Sequence, residues 1–98
     1  MDRNDSKWSK MFQERLGDEL RLSREQHDMT TTALAKKVGI SQAQISRLEC
    51  GKQGFRSSTF WKICAALPGI SPSQVVSVAE KFVYDAQAKE IKATAAAS

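Results

Sequence analysis

The sequence predicts an all-α protein of five helices, with the first and last extended beyond what a minimal core needs. Three observations carry that expectation. Apolar residues recur every three or four positions, no stretch alternates with the period of a strand, and Ser, Thr, Gly and Pro fall where helices start and stop. The 98 residues suit a single domain, 1–98, with one modest core and little room for an enclosed catalytic cavity. Hydrophobic content of 41% and charged content of 27% fit a globular chain. No run approaches the roughly 18 apolar residues of a membrane span. The opening "MDRNDSKWSK" lacks the apolar segment of a signal peptide. A cytoplasmic protein with no membrane partner is therefore expected.

The first helix is expected from Ser6 to about His27, where Trp8, Met11, Phe12, Leu16 and Leu20 form one stripe. Gly17 interrupts it at a cost of about 1 kcal/mol relative to alanine. Thr30 or Thr31 caps a second helix ending near Val38, and Gly39 makes the turn that follows. Ser41 caps a third helix over about 42–50, with Gln44 at the reciprocal position of a capping box, and Gly51 ends it. Ser57 or Ser58 caps a fourth helix carrying Phe60, Ile63, Cys64 and Leu67, which Pro68-Gly69 terminates. "SPSQ" from Ser71 to Gln74 places Ser at the cap, Pro at the first turn and Gln at the third position of a fifth helix. That helix carries Val75, Ala79, Phe82, Val83 and Ala86 on one face and is expected to run to about Lys92, with "ATAAAS" fraying.

Net charge is +4, and its placement is uneven. Residues 36–62 hold Lys36, Lys37, Arg47, Lys52, Arg56 and Lys62 against a single acid, Glu49. Such a segment is either a solvated basic face or a surface for a polyanion. Within it, Leu34 and Val38 lie one turn apart, as do Ile45 and Leu48. Ile40 plugs the turn between them, and Ala35 is small where two helices must cross closely. That is the spacing of a helix-turn-helix, two short helices around a minimal shared core. The rest of the third helix is Gln42, Ala43, Gln44, Ser46 and Arg47. Glutamine suits adenine, arginine suits guanine and an alanine meets a thymine methyl, so this face has the chemistry to read base edges in a major groove. Thr31, at the start of the second helix, and Ser41 are placed to meet phosphate, with Lys52, Arg56 and Ser57 just beyond the third helix.

On Ala35, Gly39 and Ile45, with apolar Leu34, Val38, Ile40 and Leu48, the stretch from about Leu20 to Val76 resembles the phage-repressor class of helix-turn-helix domains, the Xre family. The resemblance implies that residues 6–76 form a DNA-binding core whose third helix lies in the major groove of double-stranded DNA. It implies base contacts by Gln42, Ala43 and Arg47, with Gln44 divided between a base and a capping role, and a phosphate contact by Thr31, where the family usually has glutamine. It also implies a structural ion pair between Arg24 and Glu49.

The chain departs from the family pattern at Pro68 and at its two ends. Trp8, Met11 and Phe12 precede the motif, and Phe82, Val83, Tyr84 and Ala86 follow it in a C-terminal extension, 77–98. Packing of the first helix against the last either enlarges the monomer core or presents a dimer interface, for which Phe82, Val83, Ala86 and Trp8 are the candidates.

No catalytic site is expected: no nucleophile neighbours a base, and there is no glycine-rich phosphate loop. The two cysteines, Cys50 and Cys64, match no metal spacing, and the single histidine, His27, cannot build a metal site, so no cofactor or metal is expected. The reading is a homodimeric, sequence-specific transcriptional regulator, a repressor by family habit, on a palindromic operator. The rival reading is an adaptor or antitoxin-like component that binds a protein partner through its apolar terminal helices.

Overall fold

The computed structural model describes residues 3–97 and, among them, five α-helices and no strand. They are α1 (Arg3–Gln26), α2 (Thr31–Val38), α3 (Gln42–Glu49), α4 (Ser57–Ala66) and α5 (Pro72–Ala97). The core takes residues from every helix: Leu16 and Leu20, Leu34, Ala35 and Val38, Ile45 and Leu48, Phe60, Ile63 and Cys64, then Val75 and Ala79. Leu67, just past α4, is buried with them, and Phe12, Met29, Ile40 and Phe55 pack against its edge.

The helix boundaries follow from capping chemistry. The Thr30 hydroxyl accepts from the Ala33 N–H at 3.0 Å and starts α2. Gly39 ends that helix at φ +84°, a left-handed conformation that costs glycine nothing, and its N–H donates to the Ala35 carbonyl at 2.8 Å. Two residues later the Ser41 hydroxyl accepts from the Gln44 N–H at 3.1 Å and opens α3. Ser71 does the same for α5 through the Gln74 N–H.

Three boundaries differ from the sequence expectation. The helix α4 is capped by Arg56 in an extended conformation, with no side-chain cap bond, and Ser57 and Ser58 are already helical. The chain leaves the preceding loop one residue earlier than a serine cap requires, so backbone alone closes the first turn, through Phe60 N–H to the Arg56 carbonyl at 2.9 Å. The helix α1 begins at Arg3 instead of Ser6. The helix α5 continues through the alanines to Ala97 instead of stopping near Lys92. Alanine has the highest helix propensity, and the Thr94 hydroxyl donates back to the Glu90 carbonyl at 3.0 Å.

The helices α1 and α5 lie against each other antiparallel. Lys7, near the start of α1, pairs with Glu90, near the end of α5, at 2.9 Å, and further along Arg15 lies over the Phe82 ring at 4.9 Å. Gly17 is buried at the opposite contact of α1. A Cβ there would stand 2.5 Å from the Leu48 carbonyl oxygen and 2.6 Å from that of Glu49. The glycine that weakens α1 as an isolated helix lets it close on the end of α3. No helix among the described residues is long and apolar enough to cross a membrane.

Candidate nucleic-acid interface

The helix α3 has two faces of opposite character. Ile45 and Leu48 are 1% and 2% exposed and anchor it in the core. Gln42, Ala43 and Arg47 are exposed on the other side, with Ser46 half-buried beside them. Eight residues make a helix too short to be stable alone, so its position depends on that anchoring and on its end contacts.

The strongest end contact is an ion pair. Arg24 Nε donates to one carboxylate oxygen of Glu49 at 2.7 Å and its Nη2 to the other at 2.9 Å. The pair is bidentate and enclosed, with side-chain exposures of 12% and 7%. Arg24 Nη1 also donates to the Met29 carbonyl at 2.8 Å, tying the loop between α1 and α2 into the same cluster. Hydrogen bonding to Glu49 outweighs desolvation and holds the guanidinium above its ordinary range.

The outward side chains are organised as well. Gln42 Nε2 donates to Thr31 Oγ1 at 3.1 Å and to Ser46 Oγ at 2.9 Å, joining the N-terminus of α2 to the exposed face of α3. Arg47 Nε donates to the Gln53 carbonyl oxygen at 3.1 Å. Gln53 does not emerge from the sequence as a site residue; its side chain meets Arg47 only because the chain turns back after α3. Gln44 is half-buried, with its N–H on the Ser41 hydroxyl, and Ser41 itself is exposed. Lys52, Arg56 and Ser57 are exposed along the segment that leads from α3 into α4, and the Lys52 N–H donates to the Arg47 carbonyl at 3.0 Å.

Of the remaining candidates, Phe82 is 48% exposed, while Val83, Ala86 and Trp8 are half-buried. Trp61, on α4, is 60% exposed. His27 lies beyond the end of α1, its Nε2 2.9 Å from the Pro68 carbonyl oxygen. Cys50 and Cys64 are free thiols, the first exposed and the second buried, and burial pushes the Cys64 thiol above its ordinary range. Among the described residues no group of three His, Cys, Asp or Glu side chains is placed to hold a metal ion.

A minimal two-helix core with an exposed, pre-tied polar face on its second helix defines a helix-turn-helix DNA-binding protein of the phage-repressor kind. Residues 15–76 match the family described as helix-turn-helix domain, and the chain belongs to that family. It is similar to the Antitoxin HipB of Escherichia coli strain K12, with 40% identity over 52 residues, 53% of this chain and 59% of the relative. The Antitoxin HipB of Escherichia coli O6:H1 strain CFT073 matches at the same 40% over 52 residues, 55% of its length. The chain thus spans little more than half the length of these curated relatives. Among solved structures, the clp gene regulator ClgR from Corynebacterium glutamicum superimposes with a TM-score of 0.69 at 30% identity, covering 86% of this chain and 88% of that one. Family and fold are those of helix-turn-helix regulators and not of enzymes.

Proposed function

We propose that this protein is a cytoplasmic repressor of transcription that binds a palindromic operator as a homodimer, with α3 in the major groove. The observation that carries the reading is the exposed row of Gln42, Ala43 and Arg47 on a helix whose opposite side is locked into the core. In this arrangement Gln42, Ala43 and Arg47 read base edges and Gln44 lies at the margin of that face. Thr31, Ser41, Lys52, Arg56 and Ser57 hold the phosphates, fixing register without reading sequence. Two copies related by a two-fold axis would set their α3 helices about 34 Å apart, one turn of duplex. Phe82, Val83, Ala86 and Trp8 on the paired terminal helices are the candidate contacts between copies.

Selection of bound duplexes from a random DNA pool tests this reading in one experiment. A palindromic consensus and a steep loss of affinity with salt support it. Equal binding of all sequences, or a monomer in solution that binds single half-sites as well as whole ones, overturns it.

A second reading is favoured by the similarity to Antitoxin HipB. In that reading the same domain also binds a toxin protein through exposed apolar residues such as Phe82, Tyr84 and Ile91 on α5. DNA binding that survives Tyr84→Ser, together with loss of capture of a co-expressed toxin, would assign the two surfaces to the two roles.

A further inference from the structure

The loop between α3 and α4 is held at both ends. At its start Gly51 turns at φ +72°, with the Glu14 side chain where a Cβ would stand, and the Lys52 N–H donates to the Arg47 carbonyl at 3.0 Å. At its end Phe55 packs on the edge of the core, its ring centroid 5.7 Å from that of Phe60. Gln53 lies between these anchors, half-buried, and its side chain reaches back to α3 to accept from Arg47 Nε at 3.1 Å. An arginine nitrogen only donates, so the atom of Gln53 that meets it is the amide oxygen. Arg47 makes no other side-chain hydrogen bond or ion pair among the described residues, and its two terminal nitrogens stand free on the exposed face of α3.

A guanidinium offers parallel N–H bonds in two places. One pair joins Nε to a terminal nitrogen along the side of the group, and the other joins the two terminal nitrogens at its tip. Gln53 takes the side pair out of use and leaves the tip intact. We propose that Gln53 is a positioning residue for base recognition, holding Arg47 by Nε so that the tip of the guanidinium grips guanine at O6 and N7 together. This rests on the reading of Arg47 as a base-reading residue and names what aims it. Guanine is the base that presents two acceptors side by side in the major groove; adenine sets a donor beside its acceptor, and cytosine and thymine lack the pair. An untethered arginine must be ordered at the moment it grips a base, whereas the bond to Gln53 orders Arg47 beforehand, in the free protein. The same loop carries Lys52 and Arg56, assigned to phosphate, so the segment that docks on the backbone also sets the angle of the base reader.

The test begins with the free protein. The Arg47 Nε proton exchanges with solvent more slowly than that of the exposed Arg56. In Gln53→Met, which keeps the length of the side chain and lacks the amide oxygen, that difference disappears. Equal exchange rates for the two arginines in the unsubstituted protein overturn the proposal.

Selection from a random DNA pool, run in parallel with Arg47→Ala, then identifies the base pair that Arg47 contacts as the one whose preference the variant loses. The proposal expects guanine there. Replacing that guanine with 7-deazaguanine, which lacks N7, costs the unsubstituted protein about fivefold in affinity, the worth of one hydrogen bond. In Gln53→Met the same replacement costs less than about twofold, and preference for guanine over the other bases falls by about fivefold. Affinity for a scrambled duplex and the thermal midpoint stay unchanged. Gln53→Ala gives the same pattern; a side chain that only filled space would be replaced by methionine without loss. A base other than guanine, an unaltered guanine preference in both Gln53 variants, or an equal loss on every duplex overturns the proposal while base reading by α3 stands. An Arg47→Ala variant that loses no preference overturns the base-reading role of Arg47 and this proposal with it. A pool from which no sequence is enriched overturns the regulator reading as a whole.

Discussion

Arg47 and Lys52 lie close in the chain and are expected to govern different properties of the complex. Arg47→Ala should cost about 1–3 kcal/mol at one base pair and relax preference there alone. Lys52→Ala should weaken every sequence equally and lower the salt slope by about one. Titrations of cognate and scrambled duplexes over a range of salt separate the two outcomes. The role of Glu49 was legible through the family resemblance, which implies its pairing with Arg24, and its standing as the one acid in a basic segment agrees with a structural role. Its removal leaves Arg24 enclosed without its carboxylate, so Glu49→Ala should lower folding stability by about 3–5 kcal/mol, read from the shift in denaturant midpoint. Gln53 was not legible. A loop glutamine has no periodic signal, and its partner Arg47 is six residues away along a turn whose path local propensity does not determine.

At the scale of the helix, the elements were readable from period and caps, and the differences are confined to the start of α1, the cap of α4 and the end of α5. Gly17 shows where a tertiary contact outweighs local preference. Helix propensity alone assigns Gly17→Ala a gain of about 1 kcal/mol. The carbonyls of Leu48 and Glu49 leave no space for the new methyl group, so the expected net result is a loss of about 1–3 kcal/mol, checked by thermal unfolding. The start of α4 gives the converse case. Arg56 occupies a cap position without a capping side chain, so Arg56→Ser should add about 1 kcal/mol of stability. The same substitution removes a positive charge from the segment assigned to phosphate, and affinity for DNA should fall as stability rises. Calorimetry and binding assays on the one variant would display both signs.

Across the whole molecule, the sequence signals extra apolar turns at both ends and their packing against each other, without indicating the antiparallel register in which they meet. The pairing of Lys7 with Glu90 spans 83 positions, and no local pattern encodes it. The antiparallel contact of α1 with α5 also makes the particle long, with principal extents of 52 × 26 × 20 Å and a radius of gyration of 15.2 Å. A compact chain of this length would have a radius of gyration of about 13 Å. Hydrodynamic friction depends on shape as well as mass, so even a single copy should elute from a sizing column ahead of globular standards of its own weight. Light scattering weighs a particle whatever its shape, and so gives the copy number. Elution then reports how far the terminal helix pair projects, and shortening α5 after residue 88 should delay it by more than the lost mass requires.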